Sequence, residues 1–221
     1  MSSKPYRGVA MEGDVARWYT ARVERERDEY QGLARRIAES LPPAATVLEV
    51  APGPGFLAIE LAKLGEHRIT GLDISETFVE IASRNAENEG VDVDFRHGDV
   101  AHMPFADATF DCVVSRAAFQ NFSQPENALR EMRRVLKSGG TAVLIELRRD
   151  ISSRALNQHV RKVTTNLWEW LTNQLIFRLL LVRRAYSENR LRQFASAAGF
   201  TGVEIRKGSM FLEVWLSNAH R

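Results

Sequence analysis

The chain has one cysteine, no internal repeat, no linker and no low-complexity segment. One cysteine excludes an intrachain disulfide, and Cys112, inside the apolar run Phe110 to Val114, reads as a small buried hydrophobe. No stretch reaches the ~18 apolar residues of a membrane span. Lys4 and Arg7 are not followed by an apolar segment, so no signal peptide is expected and a cytoplasmic protein is. The five histidines do not pair with acids in a ligand pattern, so no metal is expected. There is no dense Lys/Arg run and no glycine-aromatic pattern, which argues against a nucleic-acid module.

What is present is an ordinary globular composition over 221 residues, 44% hydrophobic and 26% charged, enough for one domain with a substantial core. The net charge of +2 conceals an asymmetry. Residues 1–147 hold 17 Lys/Arg and 23 Asp/Glu, a balance of −6; residues 148–221 hold 13 and 5, a balance of +8. A basic C-terminal third suits an acidic substrate or a membrane surface.

Residues 12–40 carry apolar side chains at helical spacing and end at Pro42-Pro43. Strands and helices then alternate. Strands are expected at Thr46–Val50, Arg68–Leu72, Val91–Arg96, Phe110–Ser115 and Thr141–Leu147, and helices at Phe56–Leu64, from Ser75 to about Gly90, and at Pro125–Lys137. Ser75 reads as an N-cap. Such alternation implies a parallel sheet with helices on both faces. Residues 152–184 break the rhythm. One stripe holds Leu156, Val160, Val163, Leu167 and Leu171, and a second run, Leu175 to Val182, is apolar nearly all round. Ser187 caps a further helix to Ala198, and Thr201–Arg206 and Met210–Ser217 form a hairpin. The expected organisation is a single domain: 1–43 an N-terminal helical lid, 44–150 a ligand-binding core, 151–186 a helical cap, 187–221 a final helix and hairpin.

The most informative stretch is Glu49-Val50-Ala51-Pro52-Gly53-Pro54-Gly55, between the first strand and its helix. A strand, a glycine turn and a helix place backbone N–H groups where a ligand can approach without meeting Cβ atoms. Gly53, Gly55 and Ala58, with Asp73 18 residues beyond Gly55, also satisfy a dinucleotide fingerprint. The carboxylate at the strand end discriminates: a diphosphate gains nothing from Glu49, whereas a ligand with an ammonium group does.

Over Ala45 to Glu146 the chain resembles the class I S-adenosylmethionine-dependent methyltransferases, in particular the small-molecule branch of ubiquinone/menaquinone-type enzymes. Four motifs carry the resemblance: the Glu49–Gly55 bend, with Ala51 in the place of the first glycine; Ile69-Thr70-Gly71-Leu72-Asp73-Ile74-Ser75; His97-Gly98-Asp99-Val100; and Phe110–Phe122 followed by Ala128–Gly140. The resemblance implies a Rossmann-like seven-stranded α/β sheet, mostly parallel with an antiparallel last strand, and a helical cap inserted after strand five. It implies S-adenosyl-L-methionine as cofactor. Ala51, Gly53 and Gly55 would pack on its methionine part, Glu49 would lie near its amino group, and Asp73 would accept both ribose hydroxyls. Ile74 would lie along the adenine, Asp99 would accept from the adenine amino group, and the Val100 N–H would meet the ring. Ser115 and Arg116 would face the methyl end. Tyr19 is a candidate lid over the carboxylate end. The alternatives for Asp73 and Asp99 are a helix N-cap and a turn acid.

The implied reaction is methyl transfer to a small aromatic or lipophilic acceptor. A hydroxyl acceptor needs a base, and His159, on the cap next to the Leu156/Val160 stripe, is the candidate, with a helix-flank histidine of no chemical role as its alternative. His67, His97, His102 and His220 are expected to be solvated or set behind the adenine. Many relatives carry a histidine where Gln120 stands. Trp168, Trp170 and Phe177 are candidate liners of an acceptor pocket, or core. The run Leu175–Val182, bounded by Arg178, Arg183 and Arg184, suits a peripheral membrane contact, a buried helix or a dimer contact. Two readings without methyl transfer stay open: other chemistry on the same cofactor, and a catalytically idle protein that binds a partner through its cap. The oligomeric state is left open.

Overall fold

The computed structural model describes residues 6–7, 10–164, 166–176 and 182–218. Its frame is a seven-stranded sheet in the order β3-β2-β1-β4-β5-β7-β6. The strands are β1 (Thr46–Val50), β2 (Arg68–Asp73), β3 (Asp94–His97), β4 (Phe110–Arg116), β5 (Leu136–Leu147), β6 (Gly202–Lys207) and β7 (Phe211–Ser217). The first five are parallel, while β7 runs antiparallel to both β5 and β6. The chain leaves β1 toward β2 on one side and returns to β4 on the other. That reversal opens a crevice at the C-terminal ends of β1 and β4, where open α/β sheets bind ligands.

The helices are α1 (Gly13–Val23), α2 (Arg27–Ala38), α3 (Phe56–Ala62), α4 (Glu76–Asn88), α5 (Pro125–Val135), α6 (Ser153–Val163), α7 (Leu167–Ile176), α8 (Val182–Arg184) and α9 (Glu188–Ala197). Side chains alternate across the central strands, so each strand feeds two cores. Val47, Cys112, Val114, Val143 and Ile145 pack against Leu33 and Ile37 of α2 and Leu57 and Leu61 of α3. Leu48, Val50, Val113 and Leu144 face the other way, onto Leu129 and Met132 of α5 and Leu191 and Phe194 of α9.

Several boundaries differ from the sequence expectation. The N-terminal helical stretch is two helices joined by a 3-10 turn at Glu24–Glu26. Strand β5 begins at Leu136 rather than Thr141, because Leu136 pairs with Phe110 across a register shift and thereby ends α5 at Val135. Strand β3 begins at Asp94. Ser75 does cap α4, its hydroxyl accepting from Phe78 N at 3.0 Å, and Ser187 caps α9. The first cap stripe is divided between α6, which ends at Val163, and α7, which begins at Leu167, and Leu171 on α7 is exposed. Of the expected cap and terminal features, Phe177, Arg178, Leu179, Leu180 and Leu181 lie outside the described residues, as do Lys4, His220 and the side chain of Val163. Among the described residues no helix is long and apolar enough to cross a membrane.

Gly55 ends the bend and precedes α3 with φ +80°. A Cβ there would lie 2.7 Å from Phe95 Cζ and 2.9 Å from Ala82 Cβ. Left-handed strain and overpacking add, so Gly55→Ala is expected to destabilise the fold by about 2–4 kcal/mol. Denaturant unfolding measures it; an unchanged midpoint would contradict this account of the bend.

Candidate active site

The site is built from strand ends. Glu49 lies one residue before the end of β1 and Asp73 closes β2, so parallel pairing brings the two acids to the same edge of the sheet. Both are buried. Glu49 Oε2 accepts from Ala58 N in α3 at 2.8 Å. Asp73 reaches both ways: Oδ2 accepts from Gly53 N at 3.0 Å and Oδ1 from Ser75 N at 2.9 Å. The bend thus hangs between two carboxylates. Its backbone is left-handed at Ala51 (φ +53°), Gly53 (φ +56°) and Gly55. Ala51 keeps the conformation a glycine would take, at a cost of ~1–2 kcal/mol. Ala117, just beyond β4, is also left-handed (φ +55°), so strained alanines flank the crevice on adjacent strands.

Burial dominates the electrostatics. It raises the Glu49 carboxyl to about 8, against the Ala58 N–H and the charge of Arg116. It raises Asp73 to about 6 despite the Ser75 and Gly53 N–H groups. A third acid, Glu146 on β5, is raised to about 7 by burial, although its Oε1 accepts from Phe119 N at 3.0 Å and Ala118 N at 3.1 Å. The sequence reading missed Glu146, a charged residue near the end of an apolar strand, as Glu49 is.

Arg116 is the buried cation among these acids. Its guanidinium donates to Tyr30 Oη at 2.7 Å and Glu26 Oε2 at 3.0 Å, and Glu29 lies at 3.6 Å. It stacks 4.1 Å from the Tyr30 ring centroid and 5.2 Å from that of Phe211. Burial opposes its charge, but Tyr30 and Glu26 more than restore it. Arg116 therefore sits at the end of β4 as expected, but its head is turned toward the α1–α2 junction.

Ser115 Oγ and Gln120 Oε1 are buried at the same edge without a hydrogen-bond partner. Tyr19 comes down from α1 with its ring 5.9 Å from Phe78 and close to Gly53. Met11 O accepts from Ser75 Oγ at 2.6 Å, and Thr77 Oγ1 accepts from Gly13 N, so the start of α1 is tied across the crevice. On the far side Arg7 N donates to Asn121 O, and Tyr6 bridges to Phe122. Burial, then Tyr19 and Asp73, raise the Tyr6 phenol to about 12. Tyr6 was not singled out in the sequence.

Further along the edge, Asp99 Oδ1 accepts from Ala101 N at 2.9 Å, the geometry of a turn acid, and Val100 is half-buried. Ile74 is half-buried, its carbonyl 3.1 Å from His97 Nε2. His102 is exposed. His67 is not solvated as expected: both its ring nitrogens are buried.

A cavity of about 780 Å³ lies behind Arg116, between α2, α6 and the start of β7. His159 lines it and is itself buried. Its Nε2 is 3.8 Å from Glu26 Oε1 and its Nδ1 3.9 Å from Glu29 Oε1. Burial lowers its pKa, against the two glutamates, which favours the neutral imidazole. The cavity is polar as well as apolar: Arg36 and Glu213, paired at 2.8 Å, share its wall with Phe211, Ile145 and Met210. Trp168 is exposed on α7 and is not among the residues that line this cavity; Trp170 is half-buried against Leu156 and Val160.

The family pattern of a methyltransferase domain matches residues 48–144. A demethylmenaquinone methyltransferase of Porphyromonas gingivalis is 34% identical over 139 residues, which cover 61% of this chain and 54% of that one. A ubiquinone/menaquinone biosynthesis C-methyltransferase of Escherichia fergusonii is 28% identical over 72% of this chain and 67% of its own length. The chain spans about half the length of the first curated relatives it matches. Among solved structures, a Methanococcus maripaludis protein assigned to the S-adenosyl-L-methionine-dependent methyltransferases superposes with TM-score 0.76 at 22% identity, covering 100% of this chain and 98% of that one. The [4+2]-cyclase SpnF superposes with TM-score 0.57 at 19% identity, covering 85% and 81%. At these identities the structures speak for the fold alone.

The three raised carboxyls predict a pH dependence of the ligand-free protein. In the fold Glu49 keeps its proton to about pH 8, against an ordinary value of 4.5. The stability this gives is full below the ordinary value and is lost as pH rises through the folded one. Thermal unfolding is expected to occur at a lower temperature at about pH 8.5 than at about pH 7, with Glu49→Gln flattening the difference. A flat wild-type profile over that interval contradicts the burial of these acids.

Proposed function

We propose that the chain is a class I S-adenosylmethionine-dependent methyltransferase with S-adenosyl-L-methionine as cofactor, and that it methylates a small aromatic acceptor of the quinone-related kind named in its relatives. The observation that carries this reading is the pair of buried carboxylates, Glu49 and Asp73, on either side of a bend with left-handed backbone. Glu49 Oε2 and both Asp73 oxygens keep a further lone pair beyond their backbone partners. An ammonium beside Glu49 supplies the charge its burial lacks, and two vicinal hydroxyls suit the pair of oxygens on Asp73. The orphaned Ser115 Oγ and Gln120 Oε1 offer polar contacts to a ligand at the same edge. The residues fit the cofactor.

When bound, the cofactor supplies a methyl group on a positively charged sulfur, open to in-line displacement. The protein's tasks are then alignment and exclusion of water. Glu49 holds the amino group, Asp73 the ribose, and Ile74, Asp99 and Val100 the adenine. Ala51, Gly53 and Gly55 allow close approach, and Tyr19 closes the carboxylate end. Ser115 faces the methyl end, while the Arg116 guanidinium is turned away to Tyr30 and Glu26. His159 takes the proton from an acceptor hydroxyl in the cavity, kept neutral by burial and oriented by Glu26 and Glu29. Deprotonation makes a ring carbon or oxygen nucleophilic, so the same base serves either.

Labelled S-adenosyl-L-methionine, incubated with the protein and a panel of hydroxylated aromatic rings, is expected to yield the demethylated cofactor. Cofactor binding without turnover across the panel would favour the non-methylating readings, a use to which the SpnF fold shows this architecture can be put. Two variants separate binding from chemistry. Asp73→Ala is expected to weaken S-adenosylhomocysteine binding by about 1.5–3 kcal/mol in calorimetry. His159→Gln is expected to leave that affinity unchanged while lowering kcat by about 10²–10⁴. Unchanged affinity in the first, or unchanged kcat in the second, removes the assigned role.

A further inference from the structure

His159 stands between two carboxylates that are unlike each other. Glu26 Oε1 lies 3.8 Å from its Nε2, and Glu29 Oε1 lies 3.9 Å from its Nδ1. Glu26 is the fixed one. Its side chain is 10% exposed, and its other oxygen, Oε2, accepts from the Arg116 guanidinium at 3.0 Å. Arg116 is itself clamped at the end of β4. Its side chain is 7% exposed, it donates to Tyr30 Oη at 2.7 Å, and it stacks over the Tyr30 and Phe211 rings. Glu29 is looser, 42% exposed and 3.6 Å from Arg116. Glu29 and His159 both line the cavity, whereas Glu26 is not among its lining residues.

The two ring nitrogens are therefore inequivalent. A neutral imidazole carries its proton on one nitrogen, and an acid fixed beside a nitrogen favours the tautomer protonated there. Nε2 faces the buried, anchored acid; Nδ1 lies on the side of the looser acid and the cavity. Phe211 stands edge-on to the imidazole, ring centroids 6.5 Å apart, and Arg116 lies over the same ring, so one aromatic side chain braces both groups.

We propose that Arg116 and Glu26 are positioning residues for the base: the guanidinium pins Glu26, Glu26 holds His159 as the Nε2–H tautomer, and Nδ1 is the atom that takes the acceptor's proton. This rests on the reading of His159 as the base. In the step, the acceptor O–H bond breaks, its electron pair stays on the oxygen, and the proton joins Nδ1. The imidazolium so formed lies between two carboxylates, and Glu29 answers the new charge on the cavity side. Glu26 and Glu29 favour the charged ring, while burial, Arg116 and Arg22 oppose it. Asp28, Arg36, Arg161 and Glu213 share the cavity wall. Arg116 thus has a task at the base although its head is turned from the methyl end. Lysine is no substitute, because it lacks the planar fork that reaches Tyr30 and Glu26 together.

Nitrogen NMR of the full chain with isotope-labelled histidine tests this without cofactor or acceptor, so its failure leaves the methyltransferase reading untouched. The His159 signals are assigned by their loss in His159→Gln. The wild-type ring is expected as the Nε2–H tautomer. Arg116→Met removes the cation and releases both carboxylates to the imidazole, so it is expected to raise the proton affinity of His159 about tenfold; Glu26→Gln is expected to lower it about tenfold. Loss of packing alone would not move the two titrations in opposite directions. An Nδ1–H tautomer in the wild type overturns the proposal, as does an unchanged titration in either folded variant. Should Arg116→Met fail to fold, Glu26→Gln and the wild-type tautomer decide it.

Discussion

Everything at the crevice follows from keeping carboxylates out of water at the ends of neighbouring strands. Burying such a group costs several kcal/mol unless charge or hydrogen bonds answer it. Here the answers are partial. Backbone N–H groups of the bend, of α3 and of the segment after β4 reach Asp73, Glu49 and Glu146, and one guanidinium, Arg116, serves the acids around it. The left-handed residues at the ends of β1 and β4 and the tying of α1 over α4 are the means by which the fold holds those groups in place. A ligand that brings its own ammonium and hydroxyl donors relieves what the protein leaves unanswered.

The molecule divides its labour between two regions. The core from β1 to β5 carries Glu49, Asp73 and the bend between them, and the methyltransferase-domain pattern, residues 48–144, falls within it. The cap, α6 to α8, lies beyond that match and supplies His159 and one wall of the cavity. Arg116 joins the two, with Glu49 and Glu146 on one side and Glu26, Glu29 and Phe211 on the other. Substitutions in the cap can therefore reshape the cavity while leaving the bend and its acids intact, and a common fold with different chemistry is what such a division permits.

The strand-end acids Glu49 and Asp73 were legible in the sequence because each sits at a fixed offset from a glycine bend and an apolar run. The alternation of strands and helices was legible for the same reason, since side-chain period reports burial. Glu146 repeats the Glu49 pattern, but its partners Ala118 and Phe119 come from another segment, and no local signal joins them. The pairing of Arg116 with Glu26, 90 residues away, is a tertiary fact with no trace in spacing. Helical period placed Leu171 on one stripe with Leu156 and Val160, but the stripe is divided between α6 and α7, and Leu171 is exposed while those two are buried. By residue type Trp168 read as core or as a pocket liner; it is exposed.

The most direct measurement is a crystal structure of the protein soaked with S-adenosylhomocysteine. The account predicts the nucleoside in the bend, its amino group beside Glu49 and its ribose hydroxyls on Asp73. A ligand bound elsewhere, or a bend that accepts only a diphosphate, would contradict it.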